Sequence, residues 1–171
     1  MDSNSVKSFT GWTPIAFRGG PKGTEVEWVN LGEADFSEPF FFETIEKHLV
    51  ESEGKIAISP PEVLGLLPHI SPCLAPTAFI FHASRCGSTL LANLLKVPDA
   101  NMVLSEPRPL NQLLGSSLRR SAPEIWLQLF QATIVCLGQP RRQEQRHYFT
   151  KFSSHAVFRF PDIAKAFPKV P

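Results

Sequence analysis

Cysteine is scarce in this chain. The three present, Cys73, Cys86 and Cys136, are odd in number and their spacing fits no metal site. They read as free thiols, which suits a reducing compartment and points to the cytoplasm. Net charge is almost absent as well: 17 Lys and Arg stand against 16 Asp and Glu, a formal +1. Such a balance gives no electrostatic support to a nucleic-acid partner or a charged membrane surface. No uninterrupted apolar run approaches a membrane span, and the opening MDSNSVKSFT lacks a signal-peptide core. What remains is 171 residues, 43% hydrophobic and 19% charged, which is one domain's worth of chain with enough apolar material for a core.

Proline is plentiful, with sixteen residues that punctuate the chain often. Residues 1–24, with GGPKG at 19–23, read as a loose lead-in. Glu25 to Leu31 alternates, Val26 and Trp28 against Glu25 and Glu27, and predicts a short strand. Ser37-Glu38-Pro39 looks like a helix start, followed by Phe41, Ile45 and Leu49 at helical spacing. Phe40 to Phe42 reads as core, and His48 as a boundary histidine. Ser59-Pro60-Pro61-Glu62 fits a capping box before a short helix that ends near Pro68, and Ser71 to Pro76 reads as a linker. The chain thus divides into a lead-in over 1–75 and a second part over 76–171.

The organising stretch is Thr77 to Leu95. Five mostly apolar residues, Ala78 to His82, run into a small polar loop, and an apolar-periodic segment starts at Ser88. This predicts a buried strand, a tight loop and a helix. A helix start leaves backbone N–H groups without partners and carries partial positive charge. Gly87 allows close backbone approach, Ser88 and Thr89 add hydroxyl donors, and Arg85 adds a permanent charge with a fork of N–H groups. Together with Ser84 and Cys86 these are the parts of a phosphate cradle. It is not a Walker loop, which would need Gly at 82 and Lys at 88, where the chain has His82 and Ser88. Nor is it a phosphatase loop, because position 92, six residues after Cys86, is Ala92 rather than Arg.

With Arg85, Cys86, Gly87, Ser88 and Thr89 in that order, the loop resembles the 5′-phosphosulfate loop of the sulfotransferase family. That family shows Lys or Arg, a small residue, Gly and two hydroxyl residues leading into a helix. The E-P-F-F stretch at 38–41 and the short capped helix before the loop are similar to the segment that precedes it in bacterial sulfotransferase-like proteins.

Asn101 to Ser105 reads as a second buried strand that ends in Glu106-Pro107-Arg108-Pro109. Residues just past the ends of parallel strands face the ligand crevice, so Glu106 is a candidate base. The plainer reading makes it an acid at the start of a helix from about Leu110. The S-E-P triplet resembles the same bacterial group. Ser121-Ala122-Pro123-Glu124 fits another capping box, before a broad apolar helix closed by Gly138. The basic loop after it, with Arg141, Arg142 and Arg146, reads as solvated. His147 to Phe152 predicts a third strand, and Phe160-Pro161 opens a last helix. Cytosolic sulfotransferases place a catalytic His close behind a Lys at such a strand end. The resemblance carries that role to His155, four residues after Lys151, with a packing or capping histidine as the alternative.

The resemblance implies an α/β fold, a P-loop NTPase-like three-layer sandwich on a parallel sheet. It implies sulfuryl transfer from 3′-phosphoadenosine 5′-phosphosulfate to a small-molecule or glycan acceptor, without a metal. The donor would lie on residues 84–89, and Arg85, Glu106 and His155 would do the chemistry. In that family the next element is a strand whose Arg and Ser hold the donor's 3′-phosphate, and no residue after Val170 can supply it. The sequence therefore reads as the first part of such a domain, incomplete at its C-terminus. An apolar sheet edge would then be left for a protein partner or a second copy to cover. A non-catalytic nucleotide-binding remnant and a small-molecule P-loop kinase are the alternatives.

Overall fold

The computed structural model describes residues 6–21, 23–51 and 55–171; residues 1–5 and Lys22 of the expected lead-in lie outside them. The described part of that lead-in is mostly strand. β1 (Trp12–Gly20) pairs antiparallel with β2 (Gly23–Asn30), and β3 (Ile56–Ser59) joins the other side of β2. β1 escapes a pattern reading because its register slips between Pro14 and Ala16, so consecutive residues 13–16 are all buried. Proline brings no N–H to a ladder and is housed at such irregularities. The expected alternation holds in β2, where Val26 and Trp28 are fully buried and Trp28 Nε1 donates to Ser59 Oγ at 2.8 Å.

Helix α1 (Phe41–Glu51) begins three residues later than the Ser37 cap predicts. Glu43 sets the start by accepting from the Phe40 N–H at 3.1 Å. The Ser59 capping box also fails to form. Ser59 ends β3 and its hydroxyl donates to Pro60 O, so α2 (Glu62–Leu66) starts from Pro61 without a side-chain cap. A single 3₁₀ turn, Leu67–His69, follows α2.

The second sheet comprises β4 (Pro76–Ile80), β5 (Asn101–Ser105) and β6 (His147–Lys151), all parallel, in the order β4-β6-β5. Helices α3 (Ser88–Leu95), α4 (Arg108–Gly115), α5 (Leu118–Ser121) and α6 (Pro123–Leu137) lie between its strands in sequence. A 3₁₀ segment, Ser154–Arg159, and α7 (Phe160–Ala166) follow β6. The chain is therefore mixed α/β, with a three-stranded parallel sheet and no barrel, and it also carries an antiparallel sheet that the pattern reading does not contain. Central β6 and the edge strand β5 are well buried. Every residue of β4, the other edge, is half-buried, and its Phe79 N–H donates to Pro171 O at 2.8 Å. Three of the four leucines of α3 stay in solvent, Leu90 at 65%, Leu91 at 47% and Leu94 at 59% exposure, with Ala92 its one buried side chain.

α6 holds the two sheets together. Trp126, Phe130 and Ile134 pack into one cluster with Ile15, Met102, Leu110 and Tyr148. Cys136 joins a second cluster with Trp28, Val63 and Leu64. Ile125, near the start of the same helix, is 54% exposed. The predicted Ser121 cap is replaced by Ala122, and the Ser121 hydroxyl donates to Ser117 O instead. Gly138 ends α6 at a crossing too tight for a side chain: a Cβ there would lie 2.4 Å from Leu74 O. The basic loop beyond it is solvated only in part, with Arg146 exposed. Arg141 is buried, donates to Gly11 O at 2.6 Å and to Thr13 Oγ1, and lies over the Phe36 ring. Arg142 pairs with Asp35 at 2.6 Å and Asp99 at 3.1 Å. These ties fasten the loop to β1 and to the segment before α1.

Candidate functional site

Three parallel strands end on one side of the second sheet, and the segment after each strand carries the predicted chemistry. In open parallel sheets this is where ligands bind. After β4 comes the loop 83–87, and Gly87 is the N-cap of α3 with φ +83°, a left-handed conformation that a side chain disfavours. No side chain caps α3, and beyond its chain neighbours no described atom lies within 4 Å of where a Cβ on Gly87 would stand. The first-turn N–H groups of α3 thus have no side-chain cap among the described residues. Ser84, Arg85, Cys86 and Gly87 are exposed, while Ser88 and Thr89 are half-buried. Arg85 has φ +58°, uncommon for a residue with a Cβ, and makes no ion pair among the described residues.

After β5 comes Glu106, also left-handed at φ +57°. Its N–H donates to Lys151 O at 2.7 Å, which continues the ladder to β6 by one more bond. Its carboxylate accepts from Lys151 Nζ at 2.6 Å. The Glu106 side chain is 27% exposed and that of Lys151 only 1%. The Lys151 ammonium also lies 5.0 Å from the centre of the Phe40 ring.

His82, the residue that starts the turn after β4, completes the group. Its Nε2 is 2.9 Å from Phe152 O and 3.6 Å from Glu106 Oε1, and its Nδ1 is 3.0 Å from Ala83 O. All three partners are acceptors, and a neutral ring can donate through only one of its nitrogens. Lys96, just past α3, donates to Glu38 O. Burial holds its ammonium below the usual lysine range, against the opposite pull of Asp35, Glu38 and Glu43 and with the like charge of Lys151 adding to it.

The fold thus brings the 84–89 loop and Glu106 to the same end of one sheet. His155 lies on the 3₁₀ segment after β6, exposed, with no hydrogen bond or ion pair to Glu106, Lys151 or His82. The pattern reading passes over Lys151 as a partner of Glu106, and over His82 as a site residue. Lys151 carries a usable signal: a lysine closing a strand of buried residues needs a carboxylate, and Glu106 closes the neighbouring strand.

Comparison with family models, with curated proteins and with solved structures finds no match to this chain. Its function rests on the residues alone.

Proposed function

We propose that the chain is a sulfotransferase-type protein of P-loop architecture, which uses 3′-phosphoadenosine 5′-phosphosulfate to sulfate a hydroxyl-bearing acceptor. One observation carries this reading: an uncapped helix start with Arg85, Gly87, Ser88 and Thr89 stands at the same sheet end as the Glu106–Lys151 pair. The residues present fit the donor. The space above Gly87 would receive its 5′-phosphosulfate, with the first-turn N–H groups, both hydroxyls and the Arg85 fork as donors.

In the transfer, the acceptor oxygen bonds to sulfur while the bond from sulfur to the 5′-phosphate oxygen breaks. The bisphosphate leaves with the electron pair. Glu106 takes the acceptor proton, and Lys151 holds its carboxylate in place from the buried side. Positive charge at Arg85 and Lys151 offsets the charge that develops on the transferring group. The ammonium against Glu106 also disfavours the kinase alternative, because a carboxylate so engaged is a poor magnesium holder.

Titration calorimetry with adenosine 3′,5′-bisphosphate tests the reading. Wild type should bind saturably, and Arg85→Ala should lose about one to two decades of affinity, the worth of a charged phosphate contact. Absence of binding by the folded wild-type chain, or unchanged affinity in the variant, would overturn it.

A further inference from the structure

Beside this site lies a cavity of about 490 Å³, within the range of small-molecule sites. It lies between α4 and the 3₁₀ segment, which follow β5 and β6. Its wall is continuous with the candidate base, because Asn111, which lines it, donates from Nδ2 to Glu106 O at 3.3 Å. Ser153, His155 and Arg159 add polar groups, and Leu114 and Phe158 add apolar surface. None of the Ser153, His155 and Arg159 side chains has a hydrogen bond or ion pair among the described residues. The cavity therefore offers a hydroxyl, an imidazole and a permanently charged fork, with no carboxylate among its lining residues.

We infer that this cavity is the acceptor subsite and that it takes a hydroxylated organic anion of about monosaccharide size. The inference rests on the sulfotransferase reading for the word acceptor, though not for the binding itself. Arg159 is the anion contact: its planar fork matches a carboxylate or phosphate, and no protein acid competes for it. Ser153 and His155 meet hydroxyls, and Phe158, 78% exposed, offers a face to the ring carbons. A neutral ligand would leave the Arg159 charge unanswered, so the class is set by charge as well as size. His155, expected from resemblance to be catalytic, becomes a binding residue here, because it lines this cavity and does not touch the Glu106–Lys151 pair.

The test is a ligand-observed NMR titration of the full chain, wild type and Arg159→Gln, with glucuronate, glucose 6-phosphate and glucose as probes. Adenosine 3′,5′-bisphosphate is titrated in parallel. At least one of the two anions should bind wild type at least about tenfold more tightly than glucose. Arg159→Gln should abolish that preference and leave bisphosphate affinity within about twofold. Failure of both anions to outbind glucose would overturn the inference, and so would a preference that survives in the variant. Bisphosphate binding without anion preference sinks the subsite and leaves the donor site standing. Anion preference lost in the variant without bisphosphate binding upholds the cavity and sinks the sulfotransferase reading. An unchanged melting temperature in Arg159→Gln verifies its fold.

Discussion

Removing one partner of the Glu106–Lys151 pair should have very different consequences from removing the other. The Lys151 side chain is 1% exposed and that of Glu106 27%. Glu106→Ala leaves an ammonium with neither water nor a counter-charge, and breaking a buried pair in this way costs about 3–5 kcal/mol. A loss of about 3 kcal/mol lowers the melting temperature of a domain this size by about 6–12 °C. Lys151→Met removes the buried charge itself and keeps most of the side-chain volume. Glu106, left behind, can turn toward water, so the cost should stay under about 1.5 kcal/mol. The double variant should resemble Lys151→Met, a coupling of about 2–3 kcal/mol in a double-mutant cycle. Urea denaturation of the four proteins reads this directly. Equal losses in the two single variants, or a double variant that loses the sum of both, would refute the assignment of Lys151 as the stranded charge.

Gly87→Ala introduces no clash but forces a side chain into φ +83°, about 1–2 kcal/mol of strain. The loop should re-angle, and calorimetry should show at least about a tenfold loss of bisphosphate affinity; full retention would argue against the cradle. The three free thiols should alkylate in sequence at pH 8, followed by mass spectrometry. Exposed Cys86 reacts first; burial pushes half-buried Cys73 up to about 11, leaving its thiolate about a hundredfold scarcer than that of an ordinary thiol; buried Cys136, also pushed up, reacts last. The folded chain holds the Cys73 proton more tightly than the unfolded chain, whose thiol keeps the ordinary 9.0, so its contribution to stability is intact below about pH 9 and falls as pH rises toward 11. Finally, Arg141→Met leaves Gly11 O and Thr13 Oγ1 without their buried donor and should cost about 1.5–3 kcal/mol in urea unfolding. Arg141→Lys should not restore it, since a single nitrogen replaces the two that reach Gly11 O and Thr13 Oγ1 separately, and full recovery would refute that account.

The sequence by itself determined the local chemistry. Apolar runs that close on a polar loop, with Gly87 and two hydroxyls before helical spacing, specify strand, turn and helix from neighbouring residues alone. The three parallel strands and the start of α7 at Phe160 were legible for that reason. So was the position of Glu106 at a strand end. The caps at Ser37, Ser59 and Ser121 were not. A capping motif states only a local preference, and each of these serines stands where packing or a competing bond takes its hydroxyl or moves the helix start.

Tertiary structure alone decided the rest. A lead-in rich in glycine and proline became a strand because β2 offered it a ladder and a bulge absorbed Pro14. Arg141 became interior and Arg142 half-buried because Thr13, the Phe36 ring and Asp35, all more than a hundred residues away, meet them. Lys151 and Glu106 are 45 positions apart in sequence and 2.6 Å apart in space. Only the parallel register of β5 on β6, which sets Ser105 beside Lys151, makes them partners. Side-chain identity decides what a group can do, and a long-range pairing decides whom it meets. The second is written in contacts that no window of neighbouring residues contains.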